Sequence, residues 1–184
     1  SVSSDGRTKG IWRSATGTGF RAITPPAWPA EYRRTVIGIA PSNPNIVWAG
    51  TGEPFIRSHI SIGNGVYKST DAGRTWTHMG LDSTGRIGRI VIHPTNPDIV
   101  WMAAQGHSYG PQQQRGVYRT TNGGRTWERT LFVDENTGAI DIVQHPTNPD
   151  LLYAATWQLV IRTWGRESGG PGSGIFVSRD AGAT

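Results

Sequence analysis

The chain has 184 residues, a formal charge of +5, 25 Gly, 12 Pro, 8 Trp and no Cys. The lack of Cys excludes a disulfide framework and a thiol-ligated metal site, and no apolar run approaches the ~20 residues that a membrane-crossing helix needs. The positive charge comes from scattered Arg rather than a basic stripe, so neither a nucleic-acid surface nor membrane insertion is expected.

The chain opens on Ser1-Val2-Ser3-Ser4-Asp5-Gly6, which has no signal-peptide pattern and no initiator Met. It reads as a piece of a longer protein. Gly10-Ile11-Trp12-Arg13-Ser14 then leads through Ala15-Thr16-Gly17-Thr18-Gly19 to Phe20. Residues 24–35, with Pro25, Pro26 and Pro29, form a loop, because proline fixes φ and removes an N–H donor.

A repeated motif follows. Ile37-Gly38-Ile39-Ala40-Pro41-Ser42-Asn43-Pro44-Asn45-Ile46-Val47-Trp48 recurs from Ile90 to Trp101 and from Ile142 to Tyr153, and Pro41, Pro94 and Pro146 lie 53 and 52 residues apart. Each copy is an apolar run, a turn built on Asn-Pro, and a second apolar run. Runs this continuous indicate strands buried on both faces. His93 and His145 end such strands in different repeats, which suits a structural role better than a shared metal.

A second motif alternates with the first. Gly65-Val66-Tyr67-Lys68-Ser69-Thr70-Asp71-Ala72-Gly73-Arg74-Thr75-Trp76 returns as Gly116-Val117-Tyr118-Arg119-Thr120-Thr121-Asn122-Gly123-Gly124-Arg125-Thr126-Trp127. It begins a third time at Gly174, with Ser178, Asp180 and Gly182 in place. Val and Tyr favour a strand. The Asp carboxylate and Ser hydroxyl can bond backbone N–H groups inside a turn, and Gly supplies φ > 0. The unit is therefore strand, box-like turn, strand, and the Ser14–Phe20 stretch is a degenerate copy. Asn122 keeps the acceptor of Asp71 without its charge.

Together the motifs predict four antiparallel strands per period. In the third period these are A (89–93), B (99–104), C (116–120) and D (126–132). That is a propeller blade. The fold class is all-β, a β-propeller fragment of about three and a half four-stranded blades. Residues 1–184 form part of one propeller: blade one partial at 10–23, blade two 36–80, blade three 87–132 and blade four partial at 139–184. Blade one contributes C and D only. Further blades of the same chain complete the ring.

The Ser/Thr-x-Asp-x-Gly-x-Thr-Trp pattern resembles the Asp-box, or BNR repeat, of sialidase, xyloglucan-active and sortilin propellers. Gly50-Thr51-Gly52-Glu53-Pro54, Val133-Asp134-Glu135-Asn136-Thr137-Gly138 and Ser168-Gly169-Gly170-Pro171-Gly172 resemble a bacterial group labelled BNR-repeat glycosyl hydrolases or sortilin-like proteins. That resemblance implies a secreted or periplasmic protein without a cofactor. It also implies a structural role, away from the ligand, for Ser69, Asp71, Gly73, Trp76, Thr120, Asn122, Gly124, Trp127, Ser178, Asp180 and Gly182.

Blade topology places the A–B and C–D turns on one face and the irregular B–C links (51–64, 105–115 and 156–173) on the other. Insertions on one face of a repeat protein mark the binding face. Ligand-binding candidates there are Arg34, Arg86, Arg89, His107 and Trp157. Arg33, Arg57, His59, Tyr109, Trp164 and Arg166 share the face. Glu53 and Asp141 are the candidate catalytic carboxylates, since glycoside hydrolysis uses such a pair. Arg89 and Asp141 occupy equivalent places in adjacent blades and can instead pair with each other. Aromatic and Arg side chains suit a glycan or a peptide ligand at this channel face. Three functions follow: a carbohydrate-binding or glycoside-hydrolase-like propeller, a sortilin-like peptide binder, or a non-catalytic scaffold.

Overall fold

A computed structural model describes residues 2, 3, 10–24, 35–55 and 60–184. They form four antiparallel sheets. The first is β1 (Val2–Ser3), β2 (Gly10–Arg13) and β3 (Arg21–Ala22). The second is β4 (Thr35–Ala40), β5 (Asn43–Thr51), β6 (Val66–Ser69) and β7 (Thr77–His78). The third is β8 (Ile87–Ile92), β9 (Val100–Ala104), β10 (Gly116–Thr120) and β11 (Glu128–Leu131). The fourth is β12 (Thr137–Gln144), β13 (Leu152–Arg162), β14 (Gly165–Ser168) and β15 (Gly174–Ser178). The second and third sheets are simple meanders in which each strand pairs with its chain neighbours. This is the expected propeller blade, with strands A to D in order.

Alternation along the central strands welds the blades together, because successive side chains of a strand point to opposite faces. All five residues of β9 are buried. Val100, Met102 and Ala104 pack with Trp48 and Val66 of the preceding blade. Trp101 and Ala103 pack with Ala139, Ile142 and Leu152 of the following one. Burial on both faces is why the apolar runs are continuous rather than alternating.

Three details differ from the sequence reading. Blade one gains β1, which pairs Val2 with Ile11 and Ser3 with Gly10; two residues are too few to show a period. Strand D of blade three begins after Trp127, whose indole donates instead to Met79 O of blade two at 2.8 Å. The B–C link of blade four is no irregular loop. β13 runs on to Arg162 and returns as β14, with Arg162 opposite Gly165.

The box turns lock neighbouring blades. Gly124 has φ +91°, and a Cβ there would lie 2.4 Å from the Trp48 ring. Gly182 stands in the same way over Trp101, whose indole donates to Ala181 O at 2.9 Å. Only glycine combines that backbone conformation with so close an approach. Trp127 completes the clasp, edge-on to Trp48 at 5.8 Å between ring centroids.

Candidate functional site

Two ends of the blades must be told apart. At one end the A–B turn and the box meet within each blade. The N–H groups of Ala72, Gly123 and Ala181 donate to the carbonyls of Asn45, Asp98 and Asp150, each at 2.9 Å. His93 Nδ1 accepts the Asn96 N–H at 3.1 Å, and His145 Nδ1 accepts that of Asn148 at 3.2 Å. Both imidazoles therefore cap their own turns. Asp71 is likewise used locally: Oδ1 accepts the N–H groups of Arg74 and Thr75 at 2.9 and 2.8 Å, and Oδ2 accepts the Thr75 hydroxyl at 2.7 Å. Those Thr75 bonds hold its carboxyl well below the usual carboxylate range, and the Thr184 and Ser178 hydroxyls do the same for Asp180.

At the opposite end lie the links. In blades two and four one Thr fastens each link. Thr51 Oγ1 donates to Gly65 O at 2.7 Å, and Thr156 Oγ1 donates to Gly172 O at 2.8 Å. In blade three Arg side chains do this work. Arg86 is fully buried and donates from Nε to Gly106 O at 2.7 Å and from Nη2 to His107 O at 3.1 Å. Arg115, also buried, donates to Asn136 O at 3.2 Å and to His107 O and Gly110 O at 3.3 Å. Burial and the neighbouring Arg115 charge lower the Arg86 guanidinium to about 10, so it stays charged at neutral pH. His107 is pushed down by burial and then by the Arg115 and Arg86 charges, though a backbone hydrogen bond at Tyr109 opposes this.

The sequence candidates thus occupy distinct situations. Arg86 grips the 105–115 link from a fully buried position. His107 supplies that link's carbonyl anchor from a half-buried position. Arg89 and Asp141 meet on the inner strands of adjacent blades, with Nε to Oδ1 at 2.6 Å and Nη2 to Oδ2 at 3.4 Å. Glu53 is only 1% exposed, in the blade-two link. Arg33, Arg34, Arg57 and His59 fall outside the described residues. Trp157 lies within β13, half-buried, with its indole N–H donating to Ser168 Oγ at 3.2 Å. Trp164 crowns the β13–β14 hairpin at 84% exposure. Tyr109, 62% exposed, belongs to the neighbouring link and forms a bridge to Ile161 of the hairpin stem.

Arg115 and the hairpin itself went unread. Arg115 carries no local signal, since Arg is rarely buried. The hairpin did: Leu159-Val160-Ile161 continues the apolar β-branched run of strand B, and Gly165 follows the turn. Chemically, the open part of this face offers aromatic surface beside the exposed Arg166 and the Arg162–Glu167 ion pair of the hairpin. Its two candidate carboxylates are a buried group and an ion-paired one. Among the described residues no group of three or more His, Asp or Glu is placed to hold a metal.

Comparison with known proteins extends this picture. A Sortilin-Vps10 family model, described as sortilin, neurotensin receptor 3, matches residues 64–184. The chain is similar to the vacuolar protein sorting/targeting protein 10 of Sordaria macrospora, with 26% identity over 66% of this chain and 7% of that protein. It is also similar to a Neosartorya fischeri protein described as "Probable oligoxyloglucan-reducing end-specific xyloglucanase", with 31% identity over 44% of this chain and 10% of that one. The chain therefore spans a tenth or less of the length of these relatives. Among solved structures, the GH74 xyloglucanase from Xanthomonas campestris superposes with a TM-score of 0.63 at 16% identity, over 95% of this chain and 26% of that one. The Niastella koreensis GH74 enzyme gives 0.56 at 22%, over 84% and 22%. Both share the propeller fold.

Proposed function

The chain belongs to the Sortilin-Vps10 family, and on that premise we propose that its link face binds carbohydrate by aromatic stacking. It is a carbohydrate-active or sortilin-like propeller fragment, and one observation favours the first reading. Trp164 stands 84% exposed on a two-residue hairpin turn. Such turns favour small polar residues and Gly. Neither the turn nor the core calls for an indole here. A flat apolar ring offered to solvent fits the apolar face of a pyranose, and Tyr109 beside the same hairpin extends that surface.

This segment supplies binding rather than the hydrolytic pair. Retaining or inverting hydrolysis needs two carboxylates poised about 5–9.5 Å apart at the scissile bond. Glu53 is buried and Asp141 is held by Arg89. Polysaccharide also suits a protein acting outside the cytoplasm, and the further blades of the same chain would complete the channel. Affinity electrophoresis of the full-length protein in gels containing xyloglucan and other soluble glucans tests the reading. Retardation should fall with Trp164→Ala. Reducing-sugar release, if present, should survive Glu53→Gln and Asp141→Asn.

A peptide ligand is the second reading, favoured by β14. That strand lies at the edge of its sheet with all four residues exposed, and an extended peptide can add to such an edge. Retardation unchanged in Trp164→Ala, together with peptide capture, would favour it.

A further inference from the structure

At the opposite end of the blades a polar cleft of about 310 Å³ opens between the boxes of blades two and three. Its lining includes Lys68, Thr70, Thr77, Asp98, Asn122 and Arg125. We propose that this cleft binds a small oxyanion, a sulfate or phosphate group that is free or carried on a glycan.

Lys68 supplies the fixed charge. Its side chain is only 14% exposed, and its ammonium lies 5.3 Å from the Trp48 ring centroid. One of its three N–H bonds is used on Gly123 O at 3.1 Å. Asp98 stands at 3.8 Å, beyond the reach of a direct charge-assisted bond. Arg125 uses Nε on Asn122 O at 3.0 Å. Its terminal nitrogens, like the Thr70 and Thr77 hydroxyls, make no hydrogen bond among the described residues. Two cations against one carboxylate leave the lining positive, with donors to spare for an oxyanion.

Asn122 makes the assignment specific. The other two complete turns of this pattern carry Asp71 and Asp180 at this position; of the two turns that wall the cleft, only that of blade three lends this side chain to the lining, and there it is a neutral amide. Asn122 still builds the turn. Its Oδ1 accepts the Thr126 N–H at 3.0 Å, and its Nδ2 donates to the Thr126 hydroxyl at 2.7 Å. A carboxylate would build the turn equally well, as Asp71 does, but would place a like charge beside any bound anion.

The same comparison makes Asn122→Asp a clean probe, because the fold accepts Asp at two equivalent turns. The full-length protein is titrated calorimetrically at low ionic strength with inorganic sulfate, inorganic phosphate and a sulfated oligosaccharide. Saturable binding of at least one is expected. Asn122→Asp should weaken it about tenfold with no loss of melting temperature. The exposed Arg125→Gln variant should weaken it as well and keeps the test open if the first variant misfolds. Sulfated oligosaccharide binding without inorganic sulfate assigns the glycan-borne group; equal binding assigns the free ion. No saturable heat with any of the three, or unchanged affinity in both variants, overturns the proposal.

Discussion

Asp71 and Asn122 show what a single box side chain does. Both satisfy turn N–H groups, and both engage a Thr hydroxyl four residues on, with donor and acceptor exchanged. Asp71→Asn should therefore leave the melting temperature close to that of the parent. Asp71→Ala strands the N–H groups of Arg74 and Thr75 and should lower it. The pH dependence has a definite sign. The folded Asp71 carboxyl lies below its unfolded value of about 3.9, so its stabilisation is present above that pH. It is lost only as pH falls through the lowered folded value. Amide exchange of Thr75 should stay slow at pH 4 and accelerate in stronger acid, whereas that of Thr126, served by an amide, should lack this acid step. Gly124→Ala is the harsher change at this scale. It forces an L side chain to φ +91° and onto the Trp48 ring, and should cost upward of about 2 kcal/mol in denaturant unfolding.

The elements were legible where period and burial agree. Strands A and B of blade three are mostly apolar because they are sandwiched, and the motif turns mark their ends. Legibility failed where long-range packing decides. Nothing near Arg86 or Arg115 says that these guanidiniums turn inward, because each has a carbonyl partner far along the chain, Gly106 at 20 residues and Asn136 at 21. Nothing near Glu53 marks it for burial. The Arg89–Asp141 pair was readable, since equivalent positions of adjacent inner strands must face each other. At this scale Arg115→Met should free the 105–115 link. Removing the donors to these three part-exposed carbonyls, of which His107 O is still served by Arg86, should cost about 1–2 kcal/mol. Hydrogen exchange should rise across residues 107–113 while β9 stays protected. Asp141→Asn should cost under about 1 kcal/mol, because that ion pair is half exposed.

Seen whole, the molecule has covered and bare faces. Blades two and three share one core cluster, and blades three and four share another. Blade four then presents Val143, Tyr153, Ile175 and Val177 on one face at 41% exposure or more, Ile175 reaching 79%. Such a face suits packing against a further blade; alone it is an apolar patch that drives association. Sedimentation of the 184-residue chain should show concentration-dependent self-association, and Ile175→Glu should reduce it. The opposite ends of the blades divide the chemistry. The box carboxylates and glycines are absorbed by turns and blade contacts, while the link face keeps Trp164 and Tyr109 open.

Calorimetric titration of the full-length protein with xyloglucan oligosaccharides, wild type beside Trp164→Ala, tests that division most directly. Stacking predicts about tenfold weaker binding in the variant, the loss of roughly 1.4 kcal/mol, at an unchanged melting temperature. Equal affinity in the two proteins would contradict a carbohydrate-binding link face built on this hairpin.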